Sequence, residues 1–296
     1  MTAVVTTVKQ AATIRGAGAL FLKFGISFLF GLALFLVIIG AIYLLPMFVT
    51  LDGLTMAADA ILAPPSLSHP AGTDHLGRDV FVRVLLGGQS TLALAVSATI
   101  LGVGLGTILG MVTAFYGGLV DKVLMRLSDT MMAMPSLVLT MLIVLVVGAG
   151  SLAVVVAITI IFIPRAARVV RSAVLNVVHL DFVSASAVMG ESTAGILFRE
   201  ILPNVWPNIL VEACLRFSYA ILLISSLGYL GLGVQPPTPD WGIAISEAAP
   251  YFSIAPWMIL APAFAIILSV ICVNLLGDSV QEWLGGVGRG RMVSHV

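Results

Sequence analysis

Residues 91–116 read TLALAVSATILGVGLGTILGMVTAFY, without a single charged side chain. A helix rises about 1.5 Å per residue, so about 20 apolar residues cross a hydrocarbon core about 30 Å thick. This stretch is long enough to be a membrane span. Within it Ala98, Gly102, Gly106, Gly110 and Ala114 recur every four residues and form one smooth helical face. Small residues at that spacing let backbones approach closely, which is how helices associate in lipid. The face serves either packing within one bundle or contact with another subunit.

Further apolar runs lie on both sides. One extends from Gly25 to Val49, with Pro46 near its end. The uncharged stretch Thr130 to Pro164 is too long for one helix and is broken at Gly148-Ala149-Gly150-Ser151, giving a hairpin of spans at 128–148 and 152–170. Two more run from Asn208 to Leu230 and from Ile254 to Leu276. The expectation is an all-α, polytopic membrane protein with six transmembrane helices. Composition agrees: the 296 residues are 60% hydrophobic and 9% charged, against about 25% charged in soluble domains.

Lys and Arg accumulate in cytoplasmic loops. Starting inside, the inner segments hold eleven: Lys9, Arg15, Lys23, Lys122, Arg126, Arg165, Arg168, Arg171, Arg199, Arg289 and Arg291. The outer segments hold Arg78 and Arg83, and Arg216 falls within a span. The expected location is the cell membrane, multi-pass, with both termini cytoplasmic. The acid-free N-terminal residues lead into a run too long for a signal-peptide core, so the first span is read as retained. The net charge of zero gives no reason to expect a nucleic acid partner. Cys214 and Cys272 lie in apolar segments without CxxC spacing and read as free thiols, not zinc ligands or a disulfide.

Two loops are unusually rich. Residues 69–90, HPAGTDHLGRDVFVRVLLGGQS, end in a Leu-Leu-Gly-Gly-Gln that superficially copies a nucleotide-binding signature. The chain has no GxxxxGK[ST] phosphate loop, so that match is a coincidence. Asp74–Arg78 and Asp79–Arg83 are both acid-first i,i+4 pairs, which suit a charge-laced short helix. A metal site using His69, Asp74, His75 and Asp79 would explain fewer of the charges. The second loop, 172–207, is too long for a simple connection. Asp181 is placed to cap a short helix over 182–189, which Gly190 ends. A second short helix, Thr193 to Ile201, is expected to stop before Pro203. The pair suits either a cytoplasmic docking knob or two amphipathic helices lying on the membrane. Glu212 and Arg216, four apart in the fifth span, are expected to pair. Neither a nucleophile elbow nor an HExxH stands in the chain, so it is not read as an enzyme.

Ser184-Ala185-Ser186, then Gly190, then Leu202-Pro203 twelve residues on, resembles the Glu-Ala-Ala…Gly…Leu-Pro loop of ABC importer permeases. HPAGTDHLGRDVFVRVLLGG, FYGGLVDKVLMRLSD (115–129) with Pro135 beyond it, DFVSASAVMG, LGYLGLGVQPPTPDWG (227–242) and LLGDSVQEWL (275–284) narrow the resemblance. They match, in family order, the C-type permease subunit of dipeptide/oligopeptide/nickel importers. Ser184 stands where the family has its acid, Ser186 where it has its second alanine, and Ile224 where a glutamate is common; Glu191 is the nearest acidic replacement.

The resemblance implies a type I ABC importer permease fold working by alternating access on short peptides, with nickel or glutathione as variants. A stand-alone secondary transporter would need an intramembrane ionisable cluster or paired broken helices. The implied organisation is a cytoplasmic segment 1–24, a first transmembrane helix 25–49, an external loop 50–90 with a short helix, a core domain 91–284 containing the coupling loop 172–207, and a cytoplasmic tail 285–296. The implied partners are a homologous second permease as heterodimer, two cytoplasmic ATP-binding subunits that use ATP and Mg, an extracytoplasmic binding protein, and lipid. No cofactor is expected on this chain. The resemblance assigns ATPase coupling to Asp181, Ser184, Ala185, Ser186, Gly190, Glu191, Phe198, Leu202 and Pro203. It assigns the external mouth, where the binding protein docks, to Gly72, Thr73, Asp74, Gly77, Arg78, Asp79, Pro236, Pro237 and Trp241.

Overall fold

The computed structural model describes residues 25–48, 53, 55–235 and 237–292. The segment 1–24, the end of the first expected span at Val49, Pro236 and residues 293–296 lie outside them. Helix α1 (Gly25–Ile39) passes through a π turn (Gly40–Leu44) into α2 (Leu45–Phe48). A loop then leads to α3 (Val80–Tyr116), α4 (Gly118–Met132), α5 (Ser136–Val147) and α6 (Ser151–Leu175). Next come α7 (Asp181–Val188), α8 (Thr193–Gly195), a π turn (Ile196–Ile201), α9 (Leu202–Tyr229), α10 (Trp241–Ala248) and α11 (Trp257–Met292). Among the described residues there is no strand, only an isolated bridge between Thr73 and Asp79.

The expected count of six spans is met only in part. Among the described residues four helical runs are long and apolar enough to cross a membrane: Val80–Tyr116, Ser151–Leu175, Thr193–Tyr229 and Trp257–Glu282. The span expected at 128–148 is only α5, and α4 meets it at 94°. Pro135 explains the break, because its ring drives the preceding residue out of the helical region. Asp121 and Asp129 hold α4 to the side through Arg171 and Arg168 of α6. Together α4 and α5 make a fifth span at most, and the apolar run of the first helix, Phe28–Leu44, is shorter than the others.

The second helix of the long loop does not stop before Pro203. It continues through the π turn into α9 as one run, Thr193–Tyr229. A proline inside an α-helix removes a hydrogen bond and clashes with the carbonyl four residues earlier. The wider π turn at Ile196–Ile201 opens the ladder just where that carbonyl would stand. The hairpin break is where the sequence places it: Gly148 and Gly150 have φ of 101° and 145°, which residues with a Cβ rarely adopt.

The four-residue stripe of α3 settles inside the bundle. A Cβ on Gly102 would lie 2.6 Å from Cβ of Phe162, one on Gly106 2.6 Å from Cβ of Ala166, and one on Gly110 2.6 Å from the Ala167 carbonyl. Ala98 and Ala114 are buried on the same side. The partner is therefore α6 of the same chain. The opposite side of α3, with Ile100, Leu101, Leu105 and Ile108, is exposed, as suits a lipid-facing surface. Helix α9 closes the core with Ile221, Ile224 and Leu227, all almost fully buried. Helix α1 lies along α11, Gly31 facing Leu275.

Candidate functional site

At one end of the bundle the loop 55–79, α10 and the start of α11 form a frame. The expected short helix there does not form; residues 69–79 are turns and bends. Asp74 accepts from the backbone N–H of Leu76 and Arg78 through Oδ1, at 2.8 and 2.9 Å, and from Nε of Arg78 through Oδ2 at 2.6 Å. Arg78 also donates to Glu247 of α10 at 3.0 Å, and Arg83 donates to the same oxygen at 3.2 Å. The Asp79–Arg83 pair is replaced. Asp79 caps α3 by accepting from the Val82 N–H at 3.0 Å, and its other oxygen lies 2.8 Å from Nδ1 of His69. His75 instead stacks on Tyr251, so the four residues of the metal reading do not converge.

The rest of the frame is held by close packing. Gly72 and Gly77 have φ of 69° and 75°; a side chain at Gly72 would strike Trp257, and one at Gly77 the Ala57 carbonyl. Trp257 donates from Nε1 to the Thr73 carbonyl at 3.1 Å. Thr73 itself is buried and donates to the Ala60 carbonyl. Trp241 is fully buried and donates from Nε1 to the Val84 carbonyl at 2.8 Å. Its ring covers Gly87 and Gly88, which gives the Leu-Leu-Gly-Gly-Gln stretch a structural purpose. Asp240 caps α10, accepting from Gly242 N–H at 2.8 Å and Ile243 N–H at 3.3 Å, and Thr91 Oγ1 donates to it at 2.7 Å. Burial pushes the Asp240 carboxyl above the ordinary aspartate range, and these three donors offset part of the rise.

Of the residues that the resemblance assigns to the external mouth, Gly72, Thr73, Asp74, Gly77, Arg78 and Trp241 are buried in this chain. They shape the frame; of the nine, Pro237 is exposed, Asp79 is half-buried and Pro236 lies outside the described residues. Sequence reasoning missed Glu247 and Asp240. Asp240 had a signal, an aspartate just before a helix, as caps prefer. Glu247 had none, because its partners are more than 160 residues away.

At the other end lies the 172–207 loop. Helix α7 starts at Asp181, but the cap position is Leu180 and the Asp181 side chain caps nothing. In the first turn it instead complements the helix dipole. Gly190, with φ of 81°, ends the helix, and Ser192 caps α8 by accepting from the Gly195 N–H at 3.1 Å. Ser184 and Ala185 are exposed, and Ser186 is buried with its hydroxyl on the Phe182 carbonyl. Glu191 lies 3.3 Å from Nη1 of Arg199, so its charge is matched within the loop. Ile196, Leu197 and Ile201 point into the bundle, whereas Val188 and Met189 are 89% and 79% exposed and Phe198 is half-exposed. Leu202 is half-buried and Pro203 exposed at the π junction. The loop is thus anchored on one side and bare and apolar at its tip.

Between the two ends, Glu212 and Arg216 form the expected pair at 2.7 Å. The Arg216 guanidinium also lies over the Phe162 ring, and that of Arg165 over Tyr219, each 5.7 Å from the centroid. Beyond them α9, α5, α10 and α11 line a shallow, open hollow of about 430 Å³.

Known proteins give this geometry a family. Residues 102–286 match the family described as binding-protein-dependent transport system inner membrane component. The chain is 37% identical over 260 residues to a di/tripeptide transport system permease protein DppC of Pseudomonas aeruginosa, covering 86% of each. It is 40% identical over 220 residues to a glutathione transport system permease protein GsiD of Escherichia coli O157:H7, covering 74% of this chain and 73% of that one. An inward-facing structure of the MetNI methionine ABC transporter shares the fold, with a TM-score of 0.54, 20% identity, and coverage of 68% of this chain and 96% of that one. The chain therefore belongs to the family of inner membrane components of binding-protein-dependent transport systems.

Proposed function

We propose that this chain is one permease subunit of an ABC importer for short peptides, working by alternating access. The observation that carries the reading is mechanical. The bare apolar tip at Val188 and Met189 is tied to a single helical run, Thr193–Tyr229, whose far end lines the 430 Å³ hollow. A partner gripping the tip can tilt that helix and open or close the hollow without supplying any group to it.

In this reading two ATPase subunits hold the 181–203 loop, which places that end in the cytoplasm together with both termini, in line with the Lys and Arg excess. They use ATP and Mg, and the chain itself binds no cofactor. A homologous permease completes the passage, lipid surrounds it, and a binding protein delivers cargo at the frame. Peptides are favoured because the relative matched over most of both chains is a di/tripeptide permease. Glutathione, a tripeptide, is the second reading, from the 40% identical relative.

The test is a double substitution, Val188→Asp with Met189→Asp, in a tagged chain purified from native membranes. Both side chains are exposed, so folding and recovery of the second permease are expected to be unchanged. Loss of the ATPase subunits and of cargo-stimulated ATP hydrolysis is the expected result. A complex that retains both, with uptake unimpaired, overturns the reading.

A further inference from the structure

Among the described residues nothing covers one face of helix α4. The helix leaves α3 through Gly117 and Gly118, whose φ of 60° and 55° turn the chain sharply. Helices α5 and α6 form the hairpin joined at Gly148 to Ser151, and α4 meets α5 at 94°. It therefore lies across the hairpin instead of along it. The tie is on one side only: Asp121 accepts from Nη2 of Arg171 at 2.6 Å, Asp129 pairs with Arg168, and Ser128 is buried.

The uncovered face carries two kinds of side chain. Leu119, Val123 and Leu127 stand four residues apart and are 79%, 63% and 59% exposed. Lys122 and Arg126, also four apart, are exposed as well. At about 100° per residue the two stripes run side by side, about 60° apart around the helix. Among the described residues no carboxylate lies within ion-pair distance of either cation, and both acids of α4 are committed to α6. Tyr116, exposed at the end of α3 just before α4, is of a type enriched where spans leave the hydrocarbon.

We propose that α4 lies in the headgroup layer of the membrane, its Leu119–Val123–Leu127 stripe on acyl chains and Lys122 and Arg126 on the phosphates of anionic lipids. An in-plane helix needs an apolar face, cations along the edge of that face, and an axis across its neighbours; α4 has all three. Long basic side chains lay their stems on apolar surface and hold the charge at its margin. An acidic soluble partner would match the cations but not the stripe. A partner helix in lipid would match the stripe but strand the cations. The boundary of an anionic bilayer matches both. Each such cation favours an anionic surface by about fivefold, and salt screens the preference. Through Asp121 and Asp129 this contact anchors the end of α6 from which the 181–203 loop leaves.

The test places a probe on the stripe. Val123→Cys, in a chain with Cys214 and Cys272 changed to Ala, is labelled with bimane and reconstituted with the subunits that accompany it from native membranes. Quenching is measured with phosphatidylglycerol or phosphatidylcholine brominated in the acyl chains, and with acrylamide in the water. Brominated lipid is expected to quench more than acrylamide, and phosphatidylglycerol at least about threefold more effectively than phosphatidylcholine at low salt. That preference should vanish when Lys122→Gln and Arg126→Gln are added, and persist with Lys122→Arg and Arg126→Lys. At about 0.5 M salt it should shrink without any further substitution.

A probe that brominated lipid leaves bright is covered by protein or faces water, and either overturns the proposal. So does a preference for phosphatidylglycerol that is absent, or that survives the two Gln substitutions. If the Gln chain does not assemble, the salt series decides, and a preference indifferent to salt overturns the proposal. None of these readings depends on uptake, so their failure leaves the importer reading standing.

Discussion

Replacing Gly106 by Ala tests whether the α3–α6 seam is set by backbone contact. The added Cβ would stand 2.6 Å from Cβ of Ala166, 2.8 Å from the Ile163 carbonyl and 3.1 Å from the Ala167 N. Carbon atoms pack at about 3.5–4.0 Å, so the two helices must separate by about 1 Å. A gap of that size forfeits about a quarter to a half of the dispersion energy of the contacts it opens, and overpacking costs about 1–3 kcal/mol in measured cores. Against this, Ala is better than Gly in a helix by about 1 kcal/mol. The net expectation is a loss of up to about 2 kcal/mol, after allowing for the gain in helix propensity.

Gly104 is the control, because a Cβ there meets nothing within 4 Å. It lies in the same helix and feels the same propensity gain, so Gly104→Ala is expected to hold or raise stability by up to about 1 kcal/mol. The assay is thermal unfolding of the purified protein in one detergent, followed by tryptophan fluorescence. At about 2–4 °C per kcal/mol, Gly106→Ala should melt below the wild type by up to about 8 °C and Gly104→Ala at or above it. If the two substitutions shift the melting point in the same direction by the same amount, the seam is not limited by contact at Gly106 and the reasoning fails.

The frame yields two more expectations. Asp240 has a raised folded pKa, so between the ordinary aspartate value and that raised value the folded state keeps a proton the unfolded chain has lost. Stability should therefore fall as pH rises through that window and level off above it. Asp240→Asn keeps the cap and should flatten the profile of melting temperature against pH, while Asp240→Ala loses the cap; an Asn variant with the wild-type slope refutes the assignment. Arg78→Met removes a side chain that bridges Asp74 and Glu247. Breaking a buried ion pair on one side costs about 3–5 kcal/mol, here toward the lower figure because Arg83 lies 3.7 Å from Asp74. The loop 55–79 should become protease-sensitive, and equal digestion of mutant and wild type would count against the network.

Much of this protein is written locally. The apolar run at 91–116, the break at Gly148 to Ser151 and the short helix ended by Gly190 follow from hydropathy, length and backbone preference, which each segment carries by itself. The same holds for the family motifs, and for the Glu212–Arg216 pair, whose partners are one helical turn apart.

What the chain alone left open depends on neighbours distant in sequence. The stripe on α3 could have faced a subunit, and only α6, arriving some 60 residues later, shows that it faces inward. Arg83 has an acid at i−4, yet it turns to Glu247, because Asp79 is committed to the first turn of α3 and to His69. The 94° bend between α4 and α5 needs Arg168 and Arg171 of another helix as well as Pro135. That Arg165 lies over the Tyr219 ring is likewise a contact between helices some 54 residues apart in the chain. Hydropathy decides that a segment enters the membrane; which face it turns is decided by packing, where each contact joins residues that the sequence keeps far apart.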